Sequence, residues 1–543
     1  MNTYDRKLDK LVKSFFEITI KRNPVAATYW GIHKYDHLMS DLSRKRFLED
    51  ITILKKFLKQ FSAFDKKKLS FDKQIDRDIA IYVIRLSLFE YQDHRMWEED
   101  PDVASSIGSA LFPLFVKDFA SFENRIKSIT ARLKYSRKIY EQTKQRIRDP
   151  VKLWTEMAIE SCDRLPMFLE EIVAEAKRRN LNKNIFEQLE REVKNTEAAT
   201  SEYQEYLESI LPECKEKFIL GNKNYVKMLK LRELGYSEKE ILILGEKYLL
   251  QFKKQLKELA HRIKPHAPIE EVKEMVKSHH PKTFEEALED YRKSMNKARE
   301  FIIKHNLVTM PKKERLIVIE TPPYLRHTTP FAAYFEPAKF EKDLLGIYIV
   351  TPPENDPERI KEHSYASISN TSVHEAYPGH HLQLSCANSN PSLIRLFPDA
   401  TEFVEGWAHF CEEYMKDLGY DDTLEARFDQ TLDLIWRACR IIIDIKLHTG
   451  RMTFDEAIDF LVRETGMQKA SAIAEVKRYT QAPTYQLSYL LGKHMIKQLK
   501  ADMKKKLGKK FSEKSFNDTL LYSGRLPIKY HRIILEHKFR IES

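Results

Sequence analysis

From residue 1 to about 310, apolar side chains recur at three- and four-residue spacing, with charged residues between them. That spacing gathers the apolar positions on one face of a helix. The first segment is typical: Tyr4, Leu8, Leu11, Val12, Phe15 and Ile18 fall near one face. Several segments also carry a capping box, in which a Ser or Thr accepts from the third helical N–H and a Glu reaches back. Ser237 with Glu240, Thr283 with Glu286, and Thr453 with Glu456 fit this pattern. No repeat of fixed period is visible, which argues against a solenoid. No Ser/Gly/Pro linker divides the chain cleanly.

The pattern changes near residue 314. Glu314–Arg326 opens with a β-like run closed by Pro322 and Pro323, and Leu344–Pro353 holds a second run rich in Ile and Val. The pair predicts a small antiparallel sheet. After Pro353 the helical spacing returns. The expected organisation is a helical lobe over 1–310 and a lobe with the sheet over 311–543, packed as one compact unit. Length alone, at 543 residues, allows roughly three or four domain-sized units.

Composition sharpens the helical reading. There are 14 Gly in 543 residues, about 2.6% against a usual share of about 7%. Gly-rich turns and phosphate-binding loops are therefore scarce, and long helices rich in Lys, Glu and Leu fit better. The charge balance of 92 − 81 = +11 could suggest a nucleic-acid partner. Lys and Glu are interleaved along nearly every segment, however, which reads as a solvated surface laced with ion pairs. The five cysteines show no regular spacing, so no disulfide framework is expected and a reducing compartment is implied. The first residues read as an amphipathic helix, not a signal peptide. With no apolar run of about 18 residues, the expectation is a cytoplasmic protein without a membrane span.

Chemistry concentrates in "NTSVHEAYPGHHLQLS", which holds His374, Glu375, His380 and His381; Glu405 follows in "TEFVEGWAHFCEEY". Two imidazoles and a later carboxylate are the ligand set of a hydrolytic zinc site whose fourth position is left to water. The Glu beside the first His then serves as general base and acid. The usual spacing puts the two His four residues apart on one helical face. Here the next His after His374 is His380, about 600° around a regular helix and facing the wrong way. His381 returns to the right face but lies roughly 10 Å along the axis. Pro378 and Gly379 resolve this if the chain bulges at Tyr377–Gly379, looping out two residues and restoring His380 to the ligand position. His380 is thus preferred over His381, which is left to orient a ligand or face substrate. Glu402, His409 and Glu412 lie three before, four after and seven after Glu405, on its helical face. Any of them could orient a ligand His. Glu405 and His409 could instead hold a second metal, and Glu412 and Glu413 otherwise read as helix surface.

"HEAYPGHHLQ", "EGWAHF" and "RYTQAPTYQLSYLLG" together resemble the bacterial and archaeal domain-of-unknown-function 885 proteins. These are similar to gluzincin peptidases of the thimet-oligopeptidase and angiotensin-converting-enzyme groups. The resemblance covers most of the chain, including "GNKNYVKMLKLRELGYSEKEIL" and "TPPYLR", and is most specific in the His374 block. It implies a mainly α, two-lobed metallopeptidase fold with a deep cleft and a small sheet beside the active-site helix. It implies one Zn²⁺ per chain on His374, His380 and Glu405, with Glu375 as base. The family's usual "EGWALYAE" reads here "EGWAHFCE", so His409 stands where an apolar residue is typical and its role is open. An edge strand precedes the metal helix in such peptidases. Gly346–Val350, with Tyr348, matches it and could take an extended substrate by backbone hydrogen bonds. A Tyr commonly stabilises the oxyanion. Tyr489 best matches the family motif, Tyr485 is second, and Arg478 and Tyr479 are neighbouring donors. Arg440, Asp444 and His448 share a helix face, and His448 is a candidate second oxyanion donor.

The expected function is zinc-dependent hydrolysis of peptide bonds, in oligopeptides, with peptide as the partner and neither nucleic acid nor membrane. The rivals are an amidohydrolase of a small non-peptide metabolite and a catalytically silent peptide-binding relative.

Overall fold

Two of the three expected capping boxes form in full. Ser237 accepts from Glu240 N and receives Glu240 on its own N–H, and Thr453 with Glu456 does the same. Thr283 accepts from Glu286 N, but the Glu286 carboxylate takes the N–H of Lys282, one residue earlier. The N-terminal helix, Thr3–Arg22, buries Leu8, Val12, Phe15, Phe16 and Ile20, while Leu11 and Ile18 sit at the margin. The chain is described here by a computed structural model covering residues 2–322, 326, 332–353 and 357–541. It is mainly helical with one small sheet.

Contacts divide the chain into two compact units, residues 1–218 with 338–342, and residues 219–337 with 343–543. The division lies well before residue 310, where the texture of the sequence changes. The reason is long-range packing. The helix Glu238–Ile263 lies so close on Leu424–His448 that a Cβ on Gly245 would meet Ile441 at 2.7 Å. The first unit is built of helices and turns, with one isolated β-bridge between Val151 and Lys215, around an apolar core in which Phe15 meets Phe57 and Phe61 at ring distances of 5.2 and 6.2 Å. The residues from 338 to 342 join it through Phe340, whose N–H donates to the Trp30 carbonyl at 3.0 Å. All five cysteines are free and buried. Among the described residues no helix is long and apolar enough to cross a membrane.

The sheet of the second unit has three strands: β1 (Glu314–Glu320), β2 (Ala332–Phe335) and β3 (Leu344–Val350), in the order β1-β3-β2. Residues 323–325, within the first expected β-like segment, lie outside the described residues. β1 and β3 run parallel, Glu314 opposite Leu344, and β2 pairs antiparallel with β3, Tyr334 opposite Tyr348. This corrects the expected antiparallel pair. Parallel neighbours need a long crossover, and the chain between β1 and β3 supplies one that contains β2. β3 is therefore the central strand, and five of its residues in succession, Gly346–Val350, are buried. Both of its edges are occupied, so it cannot be the edge to which a peptide adds.

Candidate metal centre

Backbone hydrogen bonds around Pro378 show how two histidines six residues apart meet. The helix Tyr365–Glu375 stops and a second, His380–Asn388, begins. Across the break the bonds step six residues instead of four: Gly379 N donates to Val373 O at 3.0 Å, and Leu382 N to Ala376 O at 3.3 Å. Two residues are thereby looped out, and the break is complete, not a bulge within one helix. The Tyr377–Pro378 bond is cis. Gly379 is packed on the end of the first helix, where an added Cβ would overlap the His374 carbonyl. The loop is tied from outside by Trp407, whose Nε1 donates to Pro378 O at 2.8 Å. Trp407 stands on Thr401–Asp417, the helix that carries Glu405.

His374 and His380 consequently face each other with ring centroids 4.8 Å apart. Glu405 Oε2 lies 3.4 Å from His380 Nε2 and 3.9 Å from His374 Nε2. Ligands about 2.0–2.1 Å from a tetrahedral zinc are about 3.3 Å from one another. The three residues fit such an ion, and their ligand atoms all lie within 4.8 Å of one another. Burial alone would raise the Glu405 carboxyl, but His380, His374 and His409 hold it well below the usual carboxylate range.

Each neighbour of this cluster has a distinct partner. His374 Nδ1 lies 2.7 Å from Glu412 Oε1, which leaves Nε2 for the cluster. Burial lowers the His374 imidazole, but the Glu412 bond and the surrounding carboxylates outweigh it and lift it to about 9. A bound cation takes the place of that proton. His409 also faces Glu412, Nδ1 to Oε1 at 3.1 Å, and its Nε2 accepts from Arg437 Nε at 3.1 Å. Burial pushes His409 down to about 3, so it stays neutral. Glu412 is thus buried beside the cluster, not helix surface. The second grouping of possible ligands is His374, His409 and Glu412, not the Glu405–His409 pair. Glu402 plays no such part: its carboxylate is bound by Arg232 Nη2 at 2.6 Å. Glu412→Ala is expected to weaken zinc binding by about 10- to 100-fold, because the His374 ring loses its orienting partner. Competition with a chromophoric chelator measures this; wild-type affinity in the variant would rule out the orienting role.

His381 is not part of this cluster. Its Nε2 lies 2.9 Å from Glu314 Oε2 and its Nδ1 3.0 Å from Tyr334 OH. The same Glu314 receives Tyr377 OH at 2.5 Å and Arg299 Nε at 3.0 Å. Burial raises its carboxyl, yet His381, Tyr377 and Arg299 hold it at about 2. His381 therefore locks the broken helix onto β1 and β2. Tyr348 is fully buried on β3, with its hydroxyl unpaired among the described residues. It is part of the wall beside Glu375, whose charge acts on both Tyr348 and Tyr334.

Tyr485 donates to Glu405 Oε1 at 3.0 Å, and Tyr489 donates to Tyr485 at 3.4 Å. Tyr485 is thus nearer Glu405, the reverse of the order suggested by the motif. Burial first, then Glu405, raises the Tyr485 hydroxyl far above its usual value, which keeps it a donor. Its position depends on Asp444, which accepts from the N–H groups of Thr484 at 2.9 Å, Gln486 at 3.0 Å and Leu487 at 3.3 Å. The helix Ser488–Leu507 can approach closely because Gly406 meets Gly492, where a Cβ on Gly406 would lie 2.6 Å from Gly492 Cα. His448 corrects the expectation of a second oxyanion donor. Its Nε2 lies 3.0 Å from the Tyr479 carbonyl and its ring stacks on Tyr225, so it holds the tyrosine segment in place. Arg478 pairs with Glu475 at 2.8 Å.

Sequence reasoning missed Glu314, Trp407, Tyr334 and Arg437 as members of this centre. Only Trp407 carried a signal, since it lies within the "EGW" block. The others come from elements that no local spacing connects to His374.

A family model described as a bacterial protein of unknown function, DUF885, matches residues 24–533. The chain belongs to this family. Two solved structures are similar across nearly all of it. One, from Shewanella oneidensis and named as a lipoprotein of unknown function, is 21% identical with a TM-score of 0.80, covering 97% of this chain and 99% of that one. The other, named as a lipoprotein from Colwellia psychrerythraea, is 17% identical with a TM-score of 0.86, covering 100% of both chains. At such identities the likeness is one of fold. No match was found among curated proteins.

Proposed function

We propose that this DUF885 protein is a zinc-dependent hydrolase of peptide bonds in oligopeptides, with a helical fold related to the gluzincin peptidases. One observation carries the reading: a break that loops out two residues brings His374 and His380 together opposite Glu405. His374, His380 and Glu405 would hold one zinc ion. When bound, zinc supplies Lewis acidity, lowering the pKa of a water molecule and polarising a carbonyl.

The chain's own groups supply the rest. Glu375, next to His374 at the helix end, takes a proton from the attacking water as the C–O bond forms. It returns that proton to the leaving nitrogen as the C–N bond breaks. Tyr485, whose hydroxyl donates to Glu405, would turn that donor to the carbonyl oxygen as it gains charge, with Tyr489 donating to Tyr485 behind it. An extended peptide would add along β2, which lies on one side of the sheet and contacts His381 through Tyr334. Five free cysteines favour a reducing compartment such as the cytoplasm.

The test is metal removal. Purified protein should carry about one zinc and cut peptides from a mixed oligopeptide library; chelation should abolish cleavage and added zinc restore it. Cleavage that survives complete chelation would sink the proposal.

A further inference from the structure

Beside His374, His380 and Glu405, two arginines lie against the ring of Tyr489. The Arg440 guanidinium lies 4.6 Å from the Tyr489 ring centroid and that of Arg437 5.6 Å, while both lie over Trp436, at 4.3 and 3.9 Å. Arg440 and Arg478 share one carboxylate, Glu475, with contacts of 2.9 and 2.8 Å. Arg437 has only a loose carboxylate partner. Its Nε donates to His409 Nε2, and its Nη2 is 4.0 Å from Asp433, too far for a hydrogen bond. Its Nη1 is buried without a hydrogen bond among the described residues. An unmet charged donor in a buried site is costly, and a planar guanidinium suits a carboxylate.

We propose that Arg437, backed by Arg440, binds the free C-terminal carboxylate of a short peptide. The inference rests on the peptide-hydrolase reading for the nature of the ligand, and it makes the protein an enzyme that cuts near C-termini. The geometry suits this. His409 separates Arg437 from His374 by single contacts, with the two imidazoles 4.7 Å apart. One extended residue spans about 3.3–3.6 Å, so a carboxylate one or two residues past the broken bond would lie about 3 to 7 Å beyond it, the scale of the His374–His409 and His409–Arg437 contacts.

The test is calorimetric and needs no turnover. Zinc-loaded full-length protein carrying Glu375→Gln is titrated with N-acetyl-trialanine and with its C-terminal amide. The acid should bind about 10- to 100-fold more tightly than the amide. Arg437→Gln should remove that preference, and Arg437→Lys, which keeps the charge, should keep part of it. Equal binding of acid and amide overturns the carboxylate site, and this comparison does not depend on any arginine variant folding. A preference that persists in a folded Arg437→Gln protein overturns the assignment to Arg437, leaving it a clamp on His409. If the acid is preferred but native protein cuts neither peptide, the carboxylate site stands and the hydrolase reading fails by itself.

Discussion

Glu375→Gln is expected to keep about one zinc per chain and to lower kcat for peptide hydrolysis by about 10²- to 10⁴-fold. The two halves of that expectation come from different features. Zinc retention follows because Glu375 is absent from the grouped ligands, which are His374, His380 and Glu405. The loss follows because Gln is nearly isosteric but can neither accept a proton from water nor return it to the leaving amine. The substitution also leaves the Glu412–His374 contact untouched. Metal analysis alongside steady-state kinetics reads both quantities on one sample. A Gln variant that is zinc-loaded and fully active would remove Glu375 from the mechanism; one that loses its zinc would place Glu375 among the ligands.

Gly379→Ala is expected to cost the second unit about 3 kcal/mol or more, and to lose zinc with it. A Cβ at this position would lie 2.5 Å from the His374 carbonyl carbon and closer still to its oxygen. The obstacle is backbone, not the end of a flexible side chain, so no change of rotamer relieves it. The only escape is to shift the segment that sets His380 against His374, and Trp407 holds that segment through the Pro378 carbonyl. Stability and metal binding should therefore fall together, seen as a lower urea midpoint and as substoichiometric zinc after dialysis. Wild-type midpoint and zinc content would show that the break tolerates a side chain.

The helices and the meeting of His374, His380 and Glu405 were legible because their signals are local. Three-and-four spacing reports a buried helical face over a few turns, and the Ser237 and Thr453 capping boxes report within four residues of themselves. The His374 block was legible for a similar reason. A Pro-Gly pair inside a His-rich helix admits few ways to align two imidazoles, and the two-residue loop is the one found. The sheet was legible as strands but not as a topology. Hydrophobic runs at β1 and β3 do not state which neighbour each strand takes, and the short β2 segment gave no separate signal. The central place of β3, which denies it to a peptide, followed from pairing that only the folded chain fixes.

The division of the site follows the same line. The scarcity of glycine, the helical spacing, the His374-Glu375 pair and the later His380 and Glu405 are properties of short stretches, and the sequence determined them alone. Which carboxylate orients His374, what His381 does, and whether Tyr485 or Tyr489 stands nearer Glu405 depend on contacts between elements far apart in the chain. There the deciding terms are burial and charge. Glu412 rather than Glu402 faces His374, because Arg232 from a distant helix binds Glu402. Glu314 draws His381 off toward the sheet. Local pattern sets which groups a helix presents, whereas desolvation and pairing in the packed interior set which of those groups meet.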